Sequence, residues 1–300
     1  MKFKELLKLF KQTYKSWNEK DPFRQSAAIA YYAIFSLPAL LVLIINMAGF
    51  FFGTAAVNQS VLDQIGHTMG QQTAGQVKEM LASAVKSSAS IWATIIGVVV
   101  LVSGAIGVFL ELQKSLNMIW EVETKKHVGI WPIIRARIFS FGLIMAIAFL
   151  LLVSLVVSTV LAAISGWLDA GNSAWLAVVF HAIDLAISFL VITILFALMF
   201  KILPDAKNSW RHVFIGGMVT GILFIIGKTA ITFYFGKADP ASGYGAAGSI
   251  ILILLWVSYS SMILFFGAEF TKAYSVMREG KVRPSEIAKK EPPDQRPKAA

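Results

Sequence analysis

The chain has 300 residues, of which 57% are hydrophobic and only 15% are charged. Soluble domains carry about 25% charged residues, so this composition excludes an ordinary soluble globular protein. There is no cysteine, which excludes disulfides and thiolate metal sites. The net charge is +10 at pH 7, which on a soluble protein would indicate nucleic-acid binding.

Residues 1–20 begin with a basic amphipathic stretch. Apolar side chains recur there at helical spacing and lysines take the other face, at Lys2, Lys4, Lys8, Lys11 and Lys15. We predict a cytoplasmic helix that lies in the membrane interface, with its lysines toward anionic headgroups. The alternative is a helix packed on the cytoplasmic ends of the bundle. The first 26 residues are too polar for a secretory signal, so we expect them to be retained.

Long apolar segments dominate the rest of the chain, and each can cross a hydrocarbon layer of ~30 Å as a helix. Six such segments lie at about residues 27–52, 91–113, 138–162, 176–200, 213–235 and 246–270. We therefore predict an all-α, polytopic membrane protein with six transmembrane helices within residues 21–275. The connection 53–90 is predicted to form one or two short helices on the membrane surface, interrupted around Gly70 to Gly75.

Lysine and arginine are distributed unevenly among the connections. With a cytoplasmic N-terminus, 23 of the 27 fall in cytoplasmic segments and only Lys78, Lys86 and Lys237 in outside loops. Cytoplasmic loops are enriched in these residues, so both termini are predicted to be cytoplasmic. The positive charge then reflects topology, and no nucleic-acid partner is expected. Residues 276–300, rich in Lys, Pro and Glu, are expected to form a disordered tail.

The histidines and glycines do not form recognisable catalytic motifs. His67, His127, His181 and His212 lack metal-ligand spacing, so neither a metal site nor a cofactor is predicted.

A G-x-G-x-x-G match at 243–248 lies between two spans rather than after a strand, which excludes a dinucleotide site. Gly245 and Gly248 are instead predicted to allow close helix packing, as are Gly217 and Gly221.

Ionisable residues inside spans indicate function because an unpaired charge in lipid costs at least ~2.5–3.5 kcal/mol. His181 and Asp184 share one face of the fourth span, and Lys228 lies on the fifth, in the same half of the membrane. We predict that Asp184 and Lys228 pair, with His181 nearby, and line a polar cavity open to the outside. The alternative is a purely structural ion pair.

Two carboxylates lie near the cytoplasmic ends of spans. Glu111 and Glu269 each have a lysine three residues later, Lys114 and Lys272. They are interpreted either as interfacial carboxylates that pair locally or with Arg24, Arg135 or Arg137, or as an inner gate, or as a proton-binding pair if the two approach each other.

The first span contains Pro38, which removes one helical hydrogen bond and predicts a kink. Broken helices mark many transport sites, and Tyr31 and Tyr32 offer hydroxyls just before the kink. The alternative is a kink used only for packing. Asp205, which follows Pro204, is predicted to cap a turn.

Several segments together resemble the YihY/BrkB family of bacterial inner-membrane proteins. They are SAAIAYYAIFSLP at 26–38, LQKSLNMIW at 112–120, LPD at 203–205, YGAAGS at 244–249 and GAEFT at 267–271. The resemblance covers about residues 20–275 and implies six spans in the inner membrane. Members of the family have been called ribonuclease BN, virulence factors and serum-resistance factors, and transport across the envelope has been suggested for them. No residues here support the ribonuclease label.

These features predict a transporter or exporter of an envelope-related, lipid or amphipathic, substrate. The alternative function is a non-catalytic scaffold or assembly factor for envelope biogenesis, and a membrane-embedded lipid enzyme ranks last. Membrane lipids are the expected partners, together with a second copy of the chain or another envelope protein.

Overall fold

The computed structural model describes residues 3–86, 91–125, 174–238, 240, 244 and 248–290. In these ranges the chain forms eight helices and two short strands. They are α1 (Phe3–Glu19), α2 (Pro22–Phe52), α3 (Thr54–Met69), α4 (Gln71–Lys86), α5 (Ile91–Trp120), β1 (Val122–Thr124), α6 (Ala174–Ile202), α7 (Trp210–Ala238), α8 (Gly248–Glu279) and β2 (Ala288–Lys290).

The mostly helical class that the composition predicts is confirmed. Three helices of the described residues carry segments long and apolar enough to cross a membrane, at Leu185–Ile202, Trp210–Ala238 and Ile250–Glu279. The first and second predicted spans fall within α2 and α5. The third, at 138–162, lies outside the described residues, so the total of six stays a prediction.

The chain folds as two compact units. The first unit comprises residues 1–20, 116–225 and 266–300, and the second comprises 21–115 and 226–265.

In the second unit, α3 and α4 pack against α2. Leu62, Val77 and Leu81 of this pair bury their side chains with Ile253 of α8. Gly53, with φ at 86°, joins α2 to α3, and Gly70, with φ at 92°, joins α3 to α4. Glycine suits both positions because residues with a Cβ rarely adopt a positive φ. The connection thus forms two short helices, as predicted, and its place at a membrane surface stays a prediction.

In the first unit, α1 packs against α8. Leu9 is buried with Phe270 and Tyr274, and the rings of Phe10 and Phe270 lie 5.2 Å apart between centroids. Aromatic pairs at such distances stabilise a fold by more than the burial of their apolar surface alone would. The structure therefore matches the alternative of a packed helix, while an interfacial position of α1 stays a prediction.

Helices α7 and α8 meet through two reciprocal glycine–threonine contacts. Thr220 of α7 lies over Gly267 of α8, and Thr271 of α8 lies over Gly216 of α7, so an added Cβ at either glycine would collide with the opposing threonine. Each threonine hydroxyl donates to its own helix, to the Gly216 and Gly267 carbonyls, at 2.7 Å. The hydroxyls are satisfied while the backbones approach closely.

The segment after α8 is ordered by backbone pairing. Strand β2 pairs antiparallel with β1, with Val122 opposite Lys290, and the Ser285 N–H donates to the Asp205 carbonyl at 2.9 Å. The expectation of a disordered tail from residue 276 is therefore wrong as far as Lys290. Composition indicated disorder because few side chains are apolar, whereas the order comes from backbone hydrogen bonds. Residues 291–300 lie outside the described residues.

The glycine–threonine contacts predict that Gly216→Ala will destabilise the protein. Threonine is restricted at χ1 and its hydroxyl is already bonded, so the clash should cost about 1–3 kcal/mol of unfolding free energy. Gly236→Ala, on the same helix and with nothing within 4 Å of an added Cβ, is the matched control and should be neutral or stabilising. Thermal unfolding of the detergent-purified proteins measures both. Equal melting temperatures for the two variants would contradict the interpretation.

Candidate functional site

Four alternating charges form a continuous network in the first unit. Lys20 Nζ lies 2.7 Å from Glu269 Oε2, Lys272 Nζ lies 3.6 Å from Glu269 Oε1, and Lys272 Nζ lies 2.6 Å from Glu121 Oε1. We call Lys20, Glu269, Lys272 and Glu121 the charge network. The four groups are formally neutral in sum.

Three segments that are distant in sequence supply these side chains. Lys20 follows α1 directly, and the docking of Leu9 and Phe10 on α8 fixes where α1 ends. Glu269 and Lys272 are three residues apart on α8, which places them on one helix face. Glu121 follows the last residue of α5.

Glu269 is the most deeply buried member, with 2% of its side chain exposed. Burying an unpaired carboxylate would cost several kcal/mol, and both of its oxygens have a lysine partner. Lys20 also donates to the Ile119 carbonyl at 3.0 Å. Burial lowers the pKa of the Lys20 ammonium below its ordinary value, and the adjacent Glu269 carboxylate opposes that change.

Glu121 adopts an unusual backbone conformation, with φ at 55°. This left-handed conformation at a helix C-terminus is normally taken by glycine and costs other residues roughly 1–2 kcal/mol. The turn directs the Glu121 carboxylate to Lys272. The backbone strain therefore belongs to the same site as the ion pairs.

A second polar cluster in the first unit is centred on Asp205. Asn117 donates to Asp205 Oδ2 at 2.9 Å, Thr124 donates to the same oxygen at 3.0 Å, and the Asp205 N–H donates to Asn117 Oδ1 at 2.7 Å. Its carbonyl holds Ser285. The turn cap predicted for Asp205 stays a prediction, and its side chain joins the end of α5 to the α6–α7 connection.

Trp120, the last residue of α5, makes a further connection to the α6–α7 segment. Its indole N–H donates to Asn208 Oδ1 at 2.8 Å, and Asn208 Nδ2 donates to the Phe200 carbonyl at 2.9 Å. Lys201 donates to the Asn208 carbonyl. The buried indole thus has its hydrogen-bond partner, and the end of α5 is tied to the end of α6.

The structure places the two predicted interfacial carboxylates in different environments. Glu269 is buried and paired with Lys272, as its spacing indicated, and with Lys20, which the sequence did not indicate. Glu111, in the second unit, lies 3.9 Å from Lys114, whose side chain is 69% exposed. Such an exposed ion pair contributes little to the free energy of unfolding. Arg24 pairs with Asp21 instead of a span carboxylate.

Other predicted site residues are only partly described. Lys228 is half-buried on α7, while the side chains of His181 and Asp184 lie outside the described residues, so their pairing stays a prediction. On α2, Tyr31 and Tyr32 are exposed and their rings lie 5.6 Å apart between centroids. The helix α2 runs through Pro38, whose side chain is outside the described residues.

The predicted packing glycines lie mostly in helices. Gly217 and Gly221 face Thr193 of α6, and Gly248 begins α8 in a buried position. Gly245 is outside the described residues. Within the described ranges, no group of three or more His, Asp or Glu is placed to hold a metal ion.

We predict that Glu269→Gln will strongly destabilise the protein. The change leaves Lys20 and Lys272 without their shared countercharge, and breaking a buried ion pair typically costs about 3–5 kcal/mol of unfolding free energy. Glu286→Gln is the control, because Glu286 is 88% exposed and lies 3.4 Å from Lys207; it should change the same free energy by less than about 1 kcal/mol. Chemical unfolding in detergent measures both, and similar losses would refute the special role of burial.

The Asp205 cluster predicts how fast trypsin cleaves the segment after α8. Asp205→Ala should raise the rate of tryptic cleavage after Lys281 by about tenfold, because hydrogen bonds to a charged group contribute about 1.5–3 kcal/mol. The control is Lys289→Gln, which removes a half-exposed pair with Glu123. Mass spectrometry of the timed digest identifies the cleaved bonds. An unchanged rate in the Asp205 variant would show that β-pairing alone holds the segment.

Comparison with known proteins agrees with the resemblance. The family model described as "Virulence factor BrkB" matches residues 13–292. A UPF0761 membrane protein of Ralstonia nicotianae is 26% identical over 188 residues, 62% of this chain and 41% of that protein. One of Saccharophagus degradans is 24% identical over 269 residues, 88% of this chain and 59% of that protein.

The chain thus spans about half the length of these curated relatives. No solved structure matches it significantly. Because the family model matches nearly the whole chain and the relatives are named membrane proteins, the chain belongs to the BrkB family and is an integral membrane protein.

Proposed function

We propose that the protein is a non-enzymatic transporter or exporter of an amphipathic envelope component, and that the charge network closes its cytoplasmic side. In this proposal the chain crosses the bacterial inner membrane several times with both termini in the cytoplasm. The observation that carries it is the burial of Glu269 between two lysines, one of which, Lys20, directly follows the helix that precedes the predicted spans.

The network has the physical properties of a gate. Its ion pairs are stable only when water is excluded, since the attraction between charges weakens as the local dielectric rises. When the three segments separate, each charge regains hydration, so the open state is not heavily penalised. Switching proteins use such repacking of interface salt bridges between two states. A permanent core contact would be at least as stable with apolar residues in place of the ions.

The location of the network supports the same proposal. All four residues lie in, or next to, segments that the distribution of Lys and Arg predicts to be cytoplasmic. α1 is held on α8 by Phe10 and by Trp17, whose ring lies 6.0 Å from that of Phe266 between centroids. Movement of α1 would therefore act on the network through Lys20.

A second candidate function, a scaffold for envelope assembly, is favoured by one observation. Every member of the network has an opposite charge within 4 Å, which is also what a static structural site requires. A scaffold needs the network only for stability, whereas a transporter needs it to open.

Reconstituted vesicles separate the two candidates. The probes are phosphatidylglycerol and phosphatidylethanolamine that carry a fluorescent label which dithionite can reduce. Dithionite added outside the vesicles reduces only the label in the outer leaflet. A transporter should make the protected label reducible, and Lys20→Met, which leaves Glu269 paired with Lys272, should change the rate several-fold. Lys15→Met is the control, because Lys15 is 79% exposed and Glu19 is its only ion-pair partner within the described part of the chain.

If vesicles with the folded wild-type protein lose no more label than protein-free vesicles for both probes, lipid transport is refuted and the scaffold is favoured. If transport occurs at the same rate in wild type and Lys20→Met, transport stands but the network is not its gate.

A further inference from the structure

A basic cavity in the first unit is separate from the charge network. It has a volume of about 290 Å³ and is lined by Arg211, His212, Tyr274, Arg278 and Glu279. Arg211 and His212 belong to the first turn of α7, and the other three belong to the last turns of α8. With neutral histidine its lining carries two positive charges and one negative charge.

The lining of the cavity contains groups that can bind an anion. The guanidinium of Arg278 lies 5.6 Å from the centre of the Tyr274 ring, and the His212 ring meets the same tyrosine edge-on at 5.4 Å. Guanidinium groups bind phosphate with paired hydrogen bonds, and the first turn of a helix favours negative charge. Both arginines are exposed, so they can reach a ligand without first breaking a buried pair.

The cavity also contains a buried polar atom on His212. His212 is only 7% exposed, and its Nδ1 makes no hydrogen bond within the described part of the chain. It lies 3.3 Å from Glu279 Oε1, an ionic contact without hydrogen-bond geometry. A buried polar atom without a hydrogen bond is costly, and a phosphate oxygen in the cavity would supply the acceptor.

Exposed apolar side chains one or two residues from the lining residues indicate where the phosphate comes from. They are Trp210 and Phe214 of α7 and Met277 of α8, with 58%, 41% and 45% exposure. Both helices are long and apolar enough to cross a membrane, and the cavity lies where α7 begins and α8 ends. Exposed tryptophan at a span end is typical of the headgroup level.

We propose that this cavity binds the phosphate group of an anionic phospholipid headgroup, with Arg211, Arg278 and His212 as donors. The exposed side chains of Trp210, Phe214 and Met277 then contact the start of the acyl chains. Glu279 competes with the phosphate for His212 and limits the affinity of the site for the phosphate. The site needs only lipid binding, so it stands or falls separately from transport.

Ligand binding by the full-length protein in a neutral detergent tests the proposal. The probes are short-chain dioctanoyl phosphatidylglycerol, dioctanoyl phosphatidylcholine and inorganic phosphate, and the readout is the dissociation constant from thermophoresis. The phosphatidylglycerol should bind most tightly. The double variant Arg211→Gln/Arg278→Gln should weaken it by about tenfold or more, whereas Arg283→Gln, at an exposed position outside the cavity, should not.

Glu279→Gln is a second variant whose expected result a misfolded protein could not give. It should tighten phosphatidylglycerol binding several-fold, because it removes the negative charge in the cavity. Unchanged affinity in both the double arginine variant and Glu279→Gln would overturn the site. Tight binding of inorganic phosphate without binding of the lipid would overturn the lipid assignment and make the ligand a soluble phosphate.

Discussion

The burial of Glu269 is the constraint on which the first unit depends. A carboxylate with 2% exposure requires compensating charge, and α8 alone supplies only one lysine, Lys272. The second lysine, Lys20, comes from the end of α1, and Lys272 in turn is shared with Glu121 at the end of α5. Satisfying one buried charge therefore fixes where α1 ends, where α5 turns and how both meet α8. The Asp205 cluster then fixes the α6–α7 connection and the segment after α8 to the same region.

Two kinds of contact position α1 on α8 in the first unit. Aromatic contacts such as Phe10 with Phe270 bring the amphipathic helix to α8 without specifying its register. The ion pairs, which require distances near 3 Å, specify it. The left-handed turn at Glu121 shows that the backbone accepts a local cost to complete this arrangement. If α1 moves during function, the aromatic surface would permit small shifts, and the ion pairs would separate discrete states.

The sequence predicted the features that depend on local spacing. Long apolar segments located α2, α5, α6, α7 and α8, and the three-residue spacing of Glu269 and Lys272 predicted their pairing. Lys20 is 249 residues from Glu269, and a single lysine in a basic stretch carries no periodic signal that would select it. The order of residues 280–290 was missed because it rests on backbone pairing with β1, which side-chain composition does not report. The packing role of Gly267 was also missed, since one glycine in an apolar helix forms no repeat.

The reciprocal contacts of α7 and α8 have a mechanical consequence. Gly216 and Gly267 leave no clearance beneath the opposing threonines, and each threonine is tethered to its own backbone. If one helix slid along the other, a threonine would collide with a side chain bulkier than glycine. This stretch of α7 and α8 is therefore expected to move as one rigid body. Any rearrangement of the first unit must then occur at its softer contacts, with this rigid body as the fixed frame of reference.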